Sequence, residues 1–231
     1  KIVLHAIESA ENSIEDEQNI DWNKTIDIIK ILEDEKELLQ QCIDSSNLDA
    51  SVKLQDRFSS NRHGWYKWTF SNIKLNKKYK VLEIGCGNGA LWSKNIDLLD
   101  KDINITLTDV CEDMVNNAKK NLSDYSDVFD FEIVDPNNIP FEDESFDLVI
   151  ANHILFYMKD LDKVLKVGGH FYSSTIDSNN MKELESLMKG FNSNIKISEE
   201  KISSKFGMEN GQEILSKHFS QTKRYLYEDK L

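Results

Sequence analysis

Residues 80–92 read Lys-Val-Leu-Glu-Ile-Gly-Cys-Gly-Asn-Gly-Ala-Leu-Trp and are the most informative stretch of this chain. The apolar residues ahead of the first glycine predict a short buried strand, and a helical pattern begins near Ala90. Gly85, Gly87 and Gly89 stand between the two. A strand that turns through glycines into a helix lets the backbone approach a ligand closely, because side chains would block the approach. In open α/β sheets such a turn lies at the carboxyl end of a strand, where ligands bind.

Two ligand classes fit this turn. The spacing Gly85-x-Gly87-x-x-Ala90 satisfies the dinucleotide fingerprint, whose last position accepts Gly or Ala. The same residues also read Gly-x-Gly-x-Gly, with Glu83 two residues before the first glycine. That combination resembles the first motif of class I S-adenosylmethionine-dependent methyltransferases, whose cofactor is cationic and carries no pyrophosphate. An acidic residue near the turn suits a cation and repels a pyrophosphate, which favours the methyltransferase resemblance over a dinucleotide site. A purely structural turn is the other alternative, and residues farther along the chain favour a ligand site over it.

Composition narrows the function classes. The 231 residues allow one α/β domain with an appendage, and 39% hydrophobic residues support a core. A net charge of −13 predicts that the chain binds neither nucleic acid nor an anionic membrane. Three cysteines without close spacing, Cys42, Cys86 and Cys111, favour reduced thiols of a cytoplasmic protein over a disulfide framework or a metal site.

The first 50 residues form a charged, helical segment without Pro or Gly, and we expect domains at 1–50 and 51–231. Asp21 is placed to cap a helix with an apolar stripe. One interpretation is a helical arm packed on the main domain. The other follows from a resemblance, because the segment is similar to the helical tail of MerR-type transcription regulators. That resemblance implies a regulator–methyltransferase fusion and a homodimer formed through these helices.

An aromatic block, Trp65-Tyr66-Lys67-Trp68, precedes the main domain. It resembles a segment found just before the catalytic core of small bacterial methyltransferases. Its rings either wall an adenosine or substrate pocket or pin a helix to the core. We take Trp65 and Trp68 as substrate-pocket residues and Tyr66 as a catalytic candidate.

Strands and helices alternate from residue 79 onward, which predicts a doubly wound, mostly parallel, Rossmann-like sheet with an N-terminal helical extension. The predicted strands are Tyr79–Ile84, Ile103–Thr108, Phe129–Val134, Phe146–Ala151, Gly169–Ile176 and Gln221–Glu228. The predicted helices are Ala90–Leu99, Glu112–Leu122, Asn180–Lys189 and Glu213–Phe219.

Asp109 ends the second predicted strand, 24 residues after Gly85. The methyltransferase resemblance implies that its carboxylate accepts both ribose hydroxyls of the adenosyl group, with Val110 beside it and Met114 against the adenine. A nicotinamide enzyme uses the same position for its ribose, and an acidic residue there also suits a helix N-terminus. Asp109 alone therefore does not distinguish these interpretations.

The loop after the third predicted strand distinguishes a methyltransferase from a nicotinamide enzyme better than Asp109 does. Asp135-Pro136-Asn137-Asn138-Ile139-Pro140-Phe141, followed by Ser145-Phe146-Asp147, resembles the Asp-x-x-x-Leu-Pro-Phe…Ser-Phe-Asp run of the same family. The resemblance implies that Asp135 accepts a hydrogen bond from the adenine amino group. The next residue often donates its backbone N–H to the adenine, but Pro136 has none to give. Asp147 is predicted to be structural.

Residues 151–157 follow the fourth predicted strand and, by the same resemblance, line the methyl-transfer site. Asn152 is expected to contact the cofactor, and His153 and Tyr157 the acceptor. His153 is either a general base, because its charge changes near neutral pH, or a packing residue. The Lys166–Phe171 stretch resembles the family's Lys-Pro-Gly-Gly turn into strand five and is predicted to be structural.

Two features depart from the family pattern. Residues 158–166 are few for a crossover between parallel strands, which usually needs about 10–12 residues. The chain also ends soon after its last predicted strand, although the family sheet ends in an antiparallel hairpin. We expect either a clipped helix or residues absent from this sequence.

The leading functional interpretation is methyl transfer from S-adenosylmethionine to a small-molecule acceptor, with S-adenosylhomocysteine as product. A non-catalytic S-adenosylmethionine-sensing module is the alternative, and an NAD-dependent oxidoreductase is the third. The residues implied to hold the cofactor are Glu83, Gly85, Cys86, Gly87, Asp109, Val110, Met114, Asp135, Pro136 and Asn152.

Overall fold

A computed structural model describes residues 57–154, 163–179, 186, 190 and 202–229. The chain divides into two units, residues 1–57 and 58–231, and everything below concerns the second. The helices predicted within residues 1–50 lie outside the described residues, as does most of the helix predicted at 180–189. The domain boundary at residue 50 stays a prediction.

Five strands and five helices occur in the described part of the second unit. In chain order they are α1 (Trp65–Asn72), β1 (Lys80–Ile84), α2 (Ala90–Ser93), β2 (Asn104–Asp109), α3 (Glu112–Asn121), β3 (Phe129–Ile133), β4 (Phe146–Asn152), β5 (Leu165–Ser174), α4 (Ile202–Lys205) and α5 (Gly211–Ser216). Two short 3₁₀ turns, Ile96–Leu98 and Ser123–Tyr125, follow α2 and α3.

The strands form one sheet in the order β3-β2-β1-β4-β5, and each neighbouring pair is parallel. The predicted doubly wound fold is therefore confirmed. The strand order reverses between β1 and β4, and in such sheets the crevice at the reversal point receives ligands. The turn that follows β1 opens at this point.

Both faces of the sheet are covered, which explains why β1 and β4 read as nearly continuous apolar runs. Alternate residues of a strand point to opposite faces. Accordingly, Val81 joins one core cluster with Trp92 and Ile105, whereas Leu82 joins the other with Val149. Sheet packing, rather than the propensity of any one segment, therefore positions the β1 turn.

The helix predicted over Ala90–Leu99 is interrupted after Ser93. Asn95 is buried, and its side-chain amide donates to the carbonyl oxygens of Leu91 (2.7 Å) and Tyr66 (3.2 Å). A side chain that bonds to the carbonyl four residues earlier competes with regular helix geometry. The chain continues as the first 3₁₀ turn instead.

Strand β5 begins at Leu165, four residues before the predicted start at Gly169. Its pairing with β4 shifts register between Phe146 and Leu148, and Gly168 takes a φ of 81° in this region. The glycine pair therefore lies within β5 rather than in a turn before it, and its structural role stays a prediction. A Cβ on Gly169 would come within 3.0 Å of the Asp147 carbonyl oxygen.

The strand predicted over Gln221–Glu228 is wrong, because these residues form irregular chain without sheet pairing. Side-chain hydrogen bonds hold its end instead: the Asp229 carboxylate accepts from Ser59 Oγ (2.7 Å) and from the Asn61 backbone N–H (3.0 Å). None of the helices in the described ranges is long and apolar enough to span a membrane.

Candidate functional site

The turn after β1 has one crowded and one open position. Gly85 (φ 72°) and Gly87 (φ 55°) both adopt left-handed backbone, which disfavours any residue with a Cβ. A Cβ on Gly85 would lie 2.9 Å from Ile154 side-chain atoms, so this glycine permits close packing. A Cβ on Gly87 would meet nothing within 4 Å. The turn is therefore closed toward Ile154 and open at Gly87, where a ligand can approach the backbone.

Asp109, at the end of β2, ties the turn to the neighbouring strand. Its Oδ2 accepts from the Gly87 N–H (2.9 Å) and its Oδ1 from the Cys111 N–H (2.9 Å). Burial raises the pKa of this carboxyl, and the backbone N–H groups of Cys111 and Gly87 act in the opposite direction. The Val110 N–H acts in the same way. A carboxylate has about four lone-pair sites, so Asp109 can still accept a hydroxyl group from a ligand.

Glu83 lies in the core beneath the turn, with only 2% of its surface exposed. Its Oε2 accepts from the indole N–H of Trp92 at 2.5 Å, and Asn152 is a second hydrogen-bond partner. Burial raises the pKa of Glu83 to about 7, against the lowering effect of Trp92 and Asn152 and with a further raising effect of Asp109. Any influence of Glu83 on a ligand would therefore pass through Asn152, and the predicted direct contact stays a prediction.

The loops after β1, β2 and β3 gather at one edge of the sheet. The Val134 N–H donates to the Asp109 carbonyl oxygen (3.0 Å), which brings Asp135 to the same edge as Asp109. Oδ1 of Asp135 accepts from the Asn137 N–H (2.8 Å) in a local turn. The structure thus assembles the two carboxylates that the sequence predicts for the ribose and the adenine. Around them, Cys86, Met114 and Pro136 are buried and Val110 is half-buried.

His153 follows β4 with a φ of 60°, an uncommon conformation for a residue other than glycine. Its backbone N–H donates to the Ser174 carbonyl oxygen (3.0 Å), which fixes the chain at the end of β5. The side chain keeps contact with solvent, but desolvation by the atoms around the ring lowers the pKa of the imidazole. The neutral form, which can accept a proton, therefore predominates near neutral pH.

An aromatic cluster of Trp65, Trp68, Tyr227 and His153 adjoins this edge. The Trp65 ring centroid lies 5.6 Å from that of Trp68, 5.5 Å from that of His153 and 5.3 Å from that of Tyr227. Of the predicted pocket residues, Trp65 contacts His153 directly, and Trp68 contacts Trp65 and Tyr227. Sequence analysis did not predict Tyr227 as a site residue, because its segment has the pattern of a strand. No local sequence signal indicates contact with Trp65 and Trp68, more than 150 positions earlier.

Two predicted residues lie elsewhere. Tyr66, on α1, packs against the core, and Lys94 Nζ lies 4.7 Å from its ring centroid. Tyr157 lies outside the described residues. A cavity of about 330 Å³ also opens beside α1, and it contains none of the predicted site residues; its lining includes His63, Lys67, Ser71, Lys94 and Asp97.

Comparisons with known proteins identify methyltransferases as similar to this chain. A family model described as a methyltransferase domain matches residues 75–227. The chain is 27% identical over 157 residues to phthiotriol/phenolphthiotriol dimycocerosates methyltransferase 1 of Mycobacterium ulcerans, covering 62% of this chain and 54% of that protein. It is also 27% identical over 142 residues to the ubiquinone/menaquinone biosynthesis C-methyltransferase of Rickettsia bellii, covering 59% of this chain and 57% of that protein.

The chain thus spans little more than half the length of these two curated relatives. Among solved structures, a methyltransferase in complex with the Trm112 activator of Haloferax volcanii gives a TM-score of 0.47 at 22% identity. That match covers 62% of this chain and 66% of the other.

Proposed function

The chain belongs to the methyltransferase domain family, and on this premise we propose that it transfers a methyl group from S-adenosylmethionine to a small-molecule acceptor. The observation that carries the proposal is the bond between the Gly87 N–H and Asp109 Oδ2 inside the matched region. This bond joins the open backbone turn to a carboxylate that could accept ligand hydroxyls.

The residues of the turn fit an adenosyl ligand. The space beside Gly87 leaves room for it, and two backbone N–H groups hold the Asp109 carboxylate, which would accept the ribose hydroxyls. Asp135 stands at the same edge for the adenine, whereas Pro136 has no N–H to add. Gly85, Gly87, Asp109, Met114, Asp135 and Asn152 would hold the cofactor. When bound, it supplies a methyl group on a sulfonium, which is a good leaving group.

The chain's own task is alignment. The cofactor would supply the methyl group, and the residues around the turn and the aromatic cluster would have to hold the acceptor in line with it. Holding two reactants in line is worth roughly 7–11 kcal/mol of a barrier. Trp65 and Trp68 are placed to exclude water from this space. The neutral imidazole of His153 can take a proton from an acceptor that arrives protonated.

The acceptor is a small molecule in this proposal, and the names of both curated relatives support that class. The net charge of −13 favours a neutral or cationic acceptor and opposes binding to nucleic acid. Cytoplasmic location and a homodimer through the N-terminal helices stay predictions. A sensing module remains the alternative, whereas the family match weighs against a nicotinamide oxidoreductase.

The test uses the full chain with methyl-labelled S-adenosylmethionine and a panel of hydroxyl, amine, thiol and carbon acceptors. We expect acceptor-dependent release of S-adenosylhomocysteine, lost in Asp109→Ala. Cofactor binding without label transfer to any acceptor would favour the sensing module. Binding of NADH in place of either adenosyl ligand would contradict the proposal.

A further inference from the structure

Tyr227 completes the aromatic cluster from the far end of the chain. Its ring centroid lies 5.3 Å from that of Trp65, edge-on at 82°, and 5.2 Å from that of Trp68. Trp65 and Trp68 are stacked at an interplanar angle of 30°, and they lie three residues apart on one face of α1. Three large rings from two separate segments therefore form one aromatic surface.

A set of hydrogen bonds, here called the latch, holds Tyr227 in place. The Asp229 carboxylate accepts from Ser59 Oγ, Ser60 Oγ and the Asn61 backbone N–H at 2.7, 3.2 and 3.0 Å. The Asn61 side-chain amide donates to the Glu228 carbonyl oxygen at 2.9 Å. Sheet pairing plays no part here, so this anchoring is specific to the latch residues. The segment 227–229 is fixed against the loop that leads into α1.

The aromatic surface adjoins the predicted cofactor turn through two consecutive residues. The Ile154 side chain packs on Gly85, as shown by the 2.9 Å approach to a Cβ built there, and His153 lies 5.5 Å from Trp65. The path from the turn to Tyr227 therefore runs Gly85, Ile154, His153, Trp65. An acceptor resting on the rings would lie on the side of the turn where β4 ends.

The chemistry of this surface favours an uncharged ring over a cation. Aromatic rings bind other rings edge-on or offset, and they also bind cations. A cation site gains from a carboxylate that faces the ligand, whereas both oxygens of the Asp229 carboxylate are directed at hydrogen-bond donors of residues 59–61. The imidazole of His153 is neutral near neutral pH for the reason given above.

We propose that Tyr227 is a specificity-determining residue of the acceptor site, held by the latch, and that the acceptor presents an uncharged aromatic ring. This inference rests on the proposed methyl-transfer function, because only that function makes the bound molecule a methyl acceptor. The aromatic surface itself is defined by the geometry of the rings. Tyr227 contacts the acceptor in this account and takes no part in bond making.

The experiment is calorimetric titration of the full chain with 2-naphthol, an uncharged ring, and with tetramethylammonium, a cation without a ring. Each titration is run with and without saturating S-adenosylhomocysteine. The variants are Tyr227→Ala, Tyr227→Leu, Tyr227→Phe and Asp229→Ala. Tyr225→Ala is the matched control, because Tyr225 is an exposed tyrosine two residues away whose ring lies under Lys223.

We expect 2-naphthol to bind the wild type more tightly than tetramethylammonium does. Tyr227→Ala and Tyr227→Leu should weaken 2-naphthol binding about tenfold, the size expected for losing a ring contact with its buried area. Tyr225→Ala should stay near wild type. Tyr227→Phe keeps the ring but loses the hydrogen bond between the Tyr227 hydroxyl and Ser59, so it should lose less affinity than Tyr227→Ala. Asp229→Ala should give an intermediate loss. The affinity for S-adenosylhomocysteine should be the same in every variant.

Tighter binding of tetramethylammonium, or unchanged 2-naphthol affinity in Tyr227→Leu, would overturn the proposal. Tyr227→Leu keeps the side-chain bulk, so it decides the matter even if the alanine variant fails to fold. If S-adenosylhomocysteine does not bind the wild type, the proposed function fails. The 2-naphthol titration without it still reports on the ring site.

Discussion

The backbone N–H of Gly87 donates a 2.9 Å hydrogen bond to Oδ2 of Asp109, joining the turn after β1 to the end of β2. The two residues are 22 positions apart, and parallel pairing of β1 with β2 brings them together. One carboxylate thus ties the turn after β1 to the end of β2. The predictions below separate the residues that build this arrangement from those that bind the ligand.

Replacing Gly87 by alanine should weaken cofactor binding beyond its effect on stability. The left-handed φ of 55° costs an alanine about 1–2 kcal/mol, and the new methyl group would enter the open space expected to receive the ligand. We expect affinity for S-adenosylhomocysteine to fall by roughly tenfold or more, equivalent to about 1.4 kcal/mol. Calorimetric titration and chemical denaturation measure the two effects.

Gly168→Ala is the matched control for this change. Gly168 also has a left-handed φ, 81°, and a Cβ there would likewise meet nothing within 4 Å. It should lose similar stability and keep wild-type affinity. Equal affinity losses in both variants would mean that Gly87 acts only through folding.

Glu83 should make folding stability fall as pH rises. Its folded pKa of about 7 lies above the ordinary value of 4.5, so between these values the folded state holds the proton more tightly than the unfolded state. Stability from this group is full below pH 4.5 and is lost as pH rises toward 7. The shift corresponds to on the order of 3 kcal/mol across that window.

Glu83→Gln tests this sign, because glutamine keeps an oxygen for the Trp92 indole N–H but does not titrate. The difference in unfolding free energy between variant and wild type should move in favour of the variant from pH 4.5 to 7. Urea denaturation at several pH values measures it. A difference that does not vary with pH would show that Glu83 keeps its ordinary pKa.

Asp147 should matter for stability alone. Its carboxylate accepts from the Lys80 N–H (2.9 Å) and pairs with Lys166 Nζ (2.8 Å) near the amino-terminal ends of β1 and β4, the edge opposite the site. Asp147→Ala should cost about 1–2 kcal/mol of unfolding free energy and leave cofactor affinity unchanged.

Lys166→Ala serves as its control, because it removes only the ion pair. Lys166 is partly exposed, and exposed pairs contribute about 0–1 kcal/mol. The lysine variant should therefore lose less stability than the aspartate variant in the same denaturation series. Equal losses would assign the effect to the ion pair rather than to the backbone bond at Lys80.

The sequence predicted most of the sheet because its strands are apolar runs bounded by glycines and polar residues. The motif residues at the strand ends, Asp109 and Asp135, came to one edge as the parallel topology requires. Helix α2 was predicted too long because the Asn95 amide bonds to backbone at Leu91 and Tyr66, and only the fold brings Tyr66 within reach.

The C-terminal segment shows where local pattern fails. Tyr225 and Tyr227 alternate as in a strand, but the segment pairs with no strand of the described sheet. Contacts between Tyr227 and Trp65, and between Asp229 and Ser59, join residues more than 150 positions apart. Such contacts follow from the completed fold and leave no periodic signal in the sequence.

The central claim is that the turn and Asp109 bind an adenosyl cofactor. The most direct test is calorimetric titration of wild type and Asp109→Ala with S-adenosylhomocysteine and NADH, with Asp143→Ala, an exposed loop aspartate, as control. Hydrogen bonds to a charged group contribute about 1.5–3 kcal/mol, so we expect Asp109→Ala to weaken S-adenosylhomocysteine binding by roughly 10- to 100-fold. Asp143→Ala should bind as the wild type does. Binding of NADH alone, or equal S-adenosylhomocysteine affinity in all three proteins, would contradict the account.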